Sequence, residues 1–140
     1  MLKIILDTNV IVSALISNTI PSLIIYELVL AKKVKSCLSN QIFEEYIQVM
    51  NRDKFTRYPD FKLRSNIVLS KLSDISEFYV PNTKIEILTD KSDNKFLELA
   101  FASRADYIIT GNTLDFRITE FENTKILTPR EFWDSITFQA

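Results

Sequence analysis

Lys3-Ile4-Ile5-Leu6-Asp7-Thr8-Asn9-Val10 is the stretch that decides the fold. An apolar run of strand length ends abruptly on an acid, followed by a short hydroxyl and a short amide. A continuous β-branched run of this kind reads as a strand buried on both faces, as in a parallel sheet. Open α/β sheets bind ligands just beyond the carboxyl ends of their strands, which puts Asp7 at a functional crevice. Asp, Thr and Asn are also good helix N-caps, so capping of the following helix is the competing explanation for Asp7.

Outward from this stretch, strands and helices alternate. Residues 10–16 have helical spacing, and Thr19-Ile20-Pro21 reads as the start of a helix over 22–32. A short strand at 34–38 leads to a helix over 41–51, capped by Ser39 or Asn40. Phe61, Leu63, Ile67, Val68, Leu72 and Ile75 form the next helical stripe, and a strand at 77–80 stops at Pro81. A helix over 93–104 precedes a strand at 107–110, ended by the turn signal Gly111-Asn112. A last strand at 125–127 runs into Thr128-Pro129-Arg130-Glu131, a complete capping box. The alternation predicts a parallel sheet flanked by helices, and 140 residues without a linker or repeat predict a single domain over 1–140.

Composition narrows the chemistry. Apolar residues make up 46% of the chain, and the net charge is −1. No apolar run approaches the roughly 18 residues of a membrane span, and Asp7 interrupts any signal-peptide pattern. Cys37 is the one cysteine, which rules out an intramolecular disulfide and a thiolate metal cage and fits a reducing cytoplasm. With no histidine there is no Ser-His-Asp or Cys-His triad and no imidazole zinc site. Gly111 is the single glycine, so no Walker loop or G-x-G-x-x-G turn exists. Any catalysis falls to carboxylates, alone or through an oxygen-ligated ion such as Mg²⁺ or Mn²⁺.

Acids and amides gather at the strand–helix junctions. Asp7 ends the first strand, Asp93 opens the helix before a later strand, and Asn112 ends that strand. Glu45 sits one turn into the helix after the second strand. Such oxygen donors suit a hard divalent cation, which would also relieve their mutual repulsion. Between Arg52 and Arg64, Arg52, Lys54, Arg57, Lys62 and Arg64 face only Asp53 and Asp60, interleaved with Phe55, Tyr58 and Phe61. This segment can neutralise phosphates, although a solvated helix end would look the same.

Four blocks in order resemble a PIN domain: residues 5–10; Glu45-Tyr46 ahead of Arg52-Asp53-Lys54-Phe55; residues 90–100; and Ala105-Asp106-Tyr107-Ile108-Ile109-Thr110-Gly111-Asn112. Within that family the chain is most similar to the toxin components of bacterial toxin–antitoxin systems, the VapC-like branch, whose ending residues 126–132 also resemble. The resemblance spans essentially the whole chain. It implies a three-layer α/β/α sandwich with a central parallel sheet, PIN-like and Rossmann-like, and a Mg²⁺- or Mn²⁺-dependent ribonuclease.

Carried over position by position, Asp7, Glu45 and Asp93 match the family's metal-binding acids. Glu45 is preferred to Glu44 by this alignment, since successive helix positions point about 100° apart and only one can face the crevice. Asp90 is the competing choice to Asp93 and reads as a loop acid. Asn9 and Thr110 match supporting positions. The family's fourth acid falls on Asn112, a neutral and weaker ligand, with Asp115 three residues on as a partial substitute. Arg52, Lys54 and Arg57 are the candidate RNA contacts.

The resemblance also implies a small antitoxin partner and a homodimer. The helix over 22–32 is apolar on nearly every face, so it is either deeply buried or covered by another chain. Two rival functions remain. One is a PIN-like domain with a weakened site that only binds RNA or protein, for which Asn112 is the main support. The other is a haloacid dehalogenase-type phosphatase, which needs an acid two residues after its nucleophile, where this chain has Asn9.

Overall fold

The computed structural model describes residues 1–111 and 116–137. The strands are β1 (Lys3–Leu6), β2 (Lys35–Leu38), β3 (Glu77–Phe78), β4 (Tyr107–Ile109), β5 (Glu120–Phe121) and β6 (Thr124–Leu127). The helices are α1 (Thr8–Ile16), α2 (Ile20–Leu23), α3 (Asn40–Met50), α4 (Phe61–Ile75), α5 (Asn94–Ser103) and α6 (Pro129–Thr137). The strands form one six-stranded sheet in the order β3-β2-β1-β4-β6-β5. Every pairing is parallel except that of β5 with β6. Helices pack on this sheet, giving the α/β/α arrangement of a PIN-like fold.

Burial explains the apolar run that opens the chain. Ile4 and Ile5 are fully buried and Leu6 nearly so, because β1 lies mid-sheet between β2 and β4. The chain leaves β1 for β2 on one side, while β4 and β6 continue on the other. The order in which strands are added therefore reverses between β1 and β4, the kind of switch point at which a crevice opens beyond the strand ends.

Local chemistry sets the helix ends. The Ser39 hydroxyl accepts from the Ile42 amide at 3.2 Å and starts α3. Thr128 and Glu131 exchange bonds, Glu131 N to Thr128 Oγ1 at 3.1 Å and Thr128 N to Glu131 Oε1 at 2.9 Å, so the capping box of α6 is formed. Lys32, Asp60, Arg104, Arg117 and Glu122 have positive φ. A chain with one glycine has to place other residues in turns and caps where glycine is usual.

Three elements differ from the sequence reading. In place of an α-helix over 22–32, α2 starts at Ile20 and passes at Ile24 into a π-helix, Ile24–Val29. Ile24, Ile25, Leu28 and Val29 lie in the core, and Leu23 and Tyr26 are exposed among its large apolar side chains. Most of this segment's apolar surface is therefore covered within the chain itself. β3 ends at Phe78 rather than at residue 80; Tyr79 N still reaches Leu38 O at 2.8 Å, and Val80 lies exposed before Pro81. The two-residue β5 was not foreseen. Among the described residues no single helix is long and apolar enough to cross a membrane; α1 and the following helical segment pass that test only as a pair, bent by 101°.

Candidate active site

The sheet's switch point places the first acid. The Asp7 amide continues the β1–β4 ladder by donating to Ile109 O at 2.9 Å, and its backbone stays extended, at φ −64° and ψ 146°. Asp7 is the N-cap of α1 by position, yet its carboxylate makes no capping bond. The turn is closed by its carbonyl instead, which accepts from Val10 N at 3.0 Å. Asp7 Oδ2 accepts from Thr110 Oγ1 at 2.7 Å, and Thr110 is fully buried at the end of β4. The carboxylate is thus oriented across the crevice rather than turned back onto the helix.

Glu45 reaches the same place from α3. The next residue, Tyr46, is buried, and its hydroxyl donates to Leu6 O at 2.5 Å, fastening α3 to the end of β1. Burial, with the nearby Asp7 and Glu45 charges adding to it, raises the Tyr46 pKa well above the usual phenol value, so it stays a neutral donor. Glu45 Oε2 accepts from Thr8 Oγ1, and Oε1 pairs with Lys95 Nζ at 2.5 Å. Glu44, one position back, faces solvent.

Asp93 precedes α5 and, like Asp7, occupies an N-cap position without a side-chain capping bond. The capping work falls to Asp90 in the turn before it. Asp90 Oδ1 accepts from Ser92 N at 2.9 Å and from Ser92 Oγ at 2.7 Å. Those bonds, from the hydroxyl first, hold the Asp90 carboxyl below its usual pKa and keep it ionised.

Asp7, Glu45, Asp90 and Asp93 line one cleft of about 210 Å³, with Thr8, Asn9, Val49, Arg52 and the buried Phe116 completing its wall. The structure therefore brings together Asp7, Glu45, Asp93, Asn9 and Arg52, with Thr110 bonded to Asp7. Lys54 and Arg57 are not in the cleft wall: Lys54 lies over the Phe55 ring, and Arg57 over Tyr58, whose hydroxyl accepts from its guanidinium at 3.1 Å. Asn112 and Asp115 lie outside the described residues. The sequence reading missed Thr8 and the pairing of Lys95 with Glu45, and it weighed Asp90 against Asp93 but read it as a loop acid. Thr8 sat inside the quoted opening stretch, where its hydroxyl was the available signal.

The donors are all hard oxygens in one small cleft, the chemistry that Mg²⁺ and Mn²⁺ select. Among the described residues, no three acidic or thiol side chains stand close enough to hold one ion together, and Glu45 is paired with Lys95 instead. The donor set fits such an ion in kind, with Glu45 engaged elsewhere. A larger hollow of about 890 Å³ lies beside the start of α5, lined by Lys91, Ser92, Lys95 and the loop around residues 81–88. Both of its acids are engaged within the fold: Glu98 accepts from Ile85 N at 3.1 Å, and Glu86 pairs with Lys84 at 3.1 Å.

A model of the PIN domain matches residues 3–114. An uncharacterized protein of Methanocaldococcus jannaschii is 33% identical over 141 aligned positions, covering 94% of this chain and 89% of the relative. PIN domains are generally nucleases and typically use divalent metal ions, which supports a hydrolase acting on nucleic acids. By the extent of the matched region and by its relative, this chain belongs to the PIN domain family.

Proposed function

We propose that this protein is a Mg²⁺- or Mn²⁺-dependent ribonuclease that hydrolyses RNA phosphodiesters, with Asp7, Glu45 and Asp93 as its central acids. The observation that carries the reading is the Thr110–Asp7 bond at the sheet's switch point. A capping aspartate would turn its carboxylate onto the α1 amides, whereas this one is held across the crevice toward β4. A divalent ion bound there supplies Lewis acidity toward a phosphoryl oxygen and lowers the pKa of water. Asp7, Glu45 and Asp93 would hold it by drawing together, with Glu45 released from Lys95; Thr110 and Thr8 orient two of these carboxylates, and Arg52 at the cleft wall offers a phosphate contact.

The toxin role, the small antitoxin partner and the homodimer rest on the resemblance of the four sequence blocks to the VapC-like branch. The weakened-site alternative leans on Asn112, while the bonded arrangement of Asp7 and Glu45 favours an active centre. The phosphatase reading has the least support, because the exposed Asn9 stands where that chemistry needs an acid.

Matched RNA and DNA oligonucleotides, each incubated with the purified chain in Mn²⁺ and in chelator, test the proposal. It predicts RNA cleavage that stops in chelator. Cleavage that survives chelation contradicts metal dependence, and preferential DNA cleavage contradicts the ribonuclease reading. Growth arrest on expression, relieved by a small protein encoded beside this gene, is the result expected of a toxin; unimpaired growth at full expression of active enzyme argues against one.

A further inference from the structure

Lys95 is built into the site in a way that substrate binding alone does not explain. Its Nζ lies 2.5 Å from Glu45 Oε1 and 2.6 Å from the Ser92 carbonyl, and it sits 5.6 Å from the centre of the Phe96 ring. The side chain is only 11% exposed. A lysine serving as a phosphate hook keeps its head in water, whereas this ammonium is drawn in and satisfied by two protein oxygens. Both Glu45 oxygens are engaged, Oε2 by Thr8 and Oε1 by Lys95. Four acids line the adjoining cleft against a single cation in its wall, Arg52, so a second positive charge beside them relieves repulsion that remains.

The geometry points to Lys95 as a positioning residue: it neutralises the acid cleft before a divalent cation arrives, holds the Glu45 carboxylate in place, and must give up Glu45 to that cation. This rests on the metal-binding reading above and adds a definite sign to it. Loss of the lysine's charge strengthens divalent binding, although the same substitution removes a contact. A structural role alone gives the opposite sign, and a role toward substrate phosphate leaves metal affinity unmoved.

Calorimetric titration of Mn²⁺ into the whole chain tests the inference, with folding followed by circular dichroism. Lys95→Met keeps the stem and removes the charge; Lys95→Gln keeps a polar head and serves if the methionine variant fails to fold. Both should bind Mn²⁺ about tenfold or more tightly than the wild type, since local charge tunes divalent affinity. Lys95→Arg, which keeps the charge, should stay near the wild-type affinity. In a Glu45→Gln background, Lys95→Met should tighten binding less than in the wild type, because the carboxylate it releases is gone.

Unchanged or weaker binding by folded Lys95→Met and Lys95→Gln overturns the inference. If the wild type still binds Mn²⁺ and Asp7→Asn does not, the metal-binding reading survives that failure. Absence of Mn²⁺ binding in the wild type and the Lys95 variants alike overturns both.

Discussion

The buried Tyr46 hydroxyl donates to the carbonyl of Leu6 at 2.5 Å, joining helix α3 to the last residue of β1. One residue beyond each partner stands an acid of the cleft: Asp7 follows Leu6, and Glu45 precedes Tyr46. A single bond across 40 residues therefore ties together the two elements that carry these carboxylates, against their mutual repulsion.

Tyr46→Phe keeps the ring and removes only this bond. It should cost about 1–3 kcal/mol, because a buried carbonyl loses its side-chain donor, and it should lower activity more than the stability loss alone explains. Urea unfolding read beside the cleavage rate separates the two. A variant as stable and as active as the wild type would show that the bond does not position the acids.

Thr110 makes the corresponding bond from the other side of the crevice. Thr110→Val keeps the shape and deletes the donor to Asp7 Oδ2, while Thr110→Ser keeps the donor. The valine variant should lose roughly 10- to 100-fold in activity or metal affinity, the usual effect of removing a partner that orients a ligand, and the serine variant should recover most of it. Equal activity in the two variants would remove Thr110 from the site.

Cys37 is fully buried in β2, and burial pushes its thiol pKa up to about 11. The folded protein therefore keeps the thiol neutral where an unfolded chain, with a value near 9.0, begins to ionise. The sign follows: this group's contribution to stability is intact below pH 9 and is lost as pH rises through the folded value. A disulfide reagent such as DTNB should react slowly with the native chain at pH 8 and rapidly once urea unfolds it. Fast reaction in the folded state would contradict the burial of this strand.

Much of the fold was legible because its signals are local. The apolar run of β1, the Ser39 cap and the Thr128–Glu131 box are short-range patterns, and each appears in the structure. The switch-point position of Asp7 followed once the strands were taken as parallel. The pairs that shape the site were not legible, since Thr8 meets Glu45 across 37 residues and Lys95 lies 50 positions from Glu45 in sequence. No period or cap encodes such contacts; they exist only after the sheet brings α1, α3 and α5 to one edge. Asp90 was read as a loop acid for the same reason. The π-helix escaped notice because Ile24, Ile25, Leu28 and Val29 fit an α-helical apolar face equally well.

The most direct test of the account is the cleavage rate of Asp7→Asn in Mn²⁺, measured with its thermal unfolding in the same preparation. The amide keeps the size of the side chain and removes the charge. Activity should fall by more than the roughly 10- to 100-fold typical of an orienting partner. The melting temperature should hold or rise, because one source of repulsion in the cleft is relieved. A folded Asp7→Asn that still cleaves RNA at the wild-type rate, or a variant whose activity falls only in step with its unfolding, would contradict the claim that this cleft is a carboxylate nuclease centre.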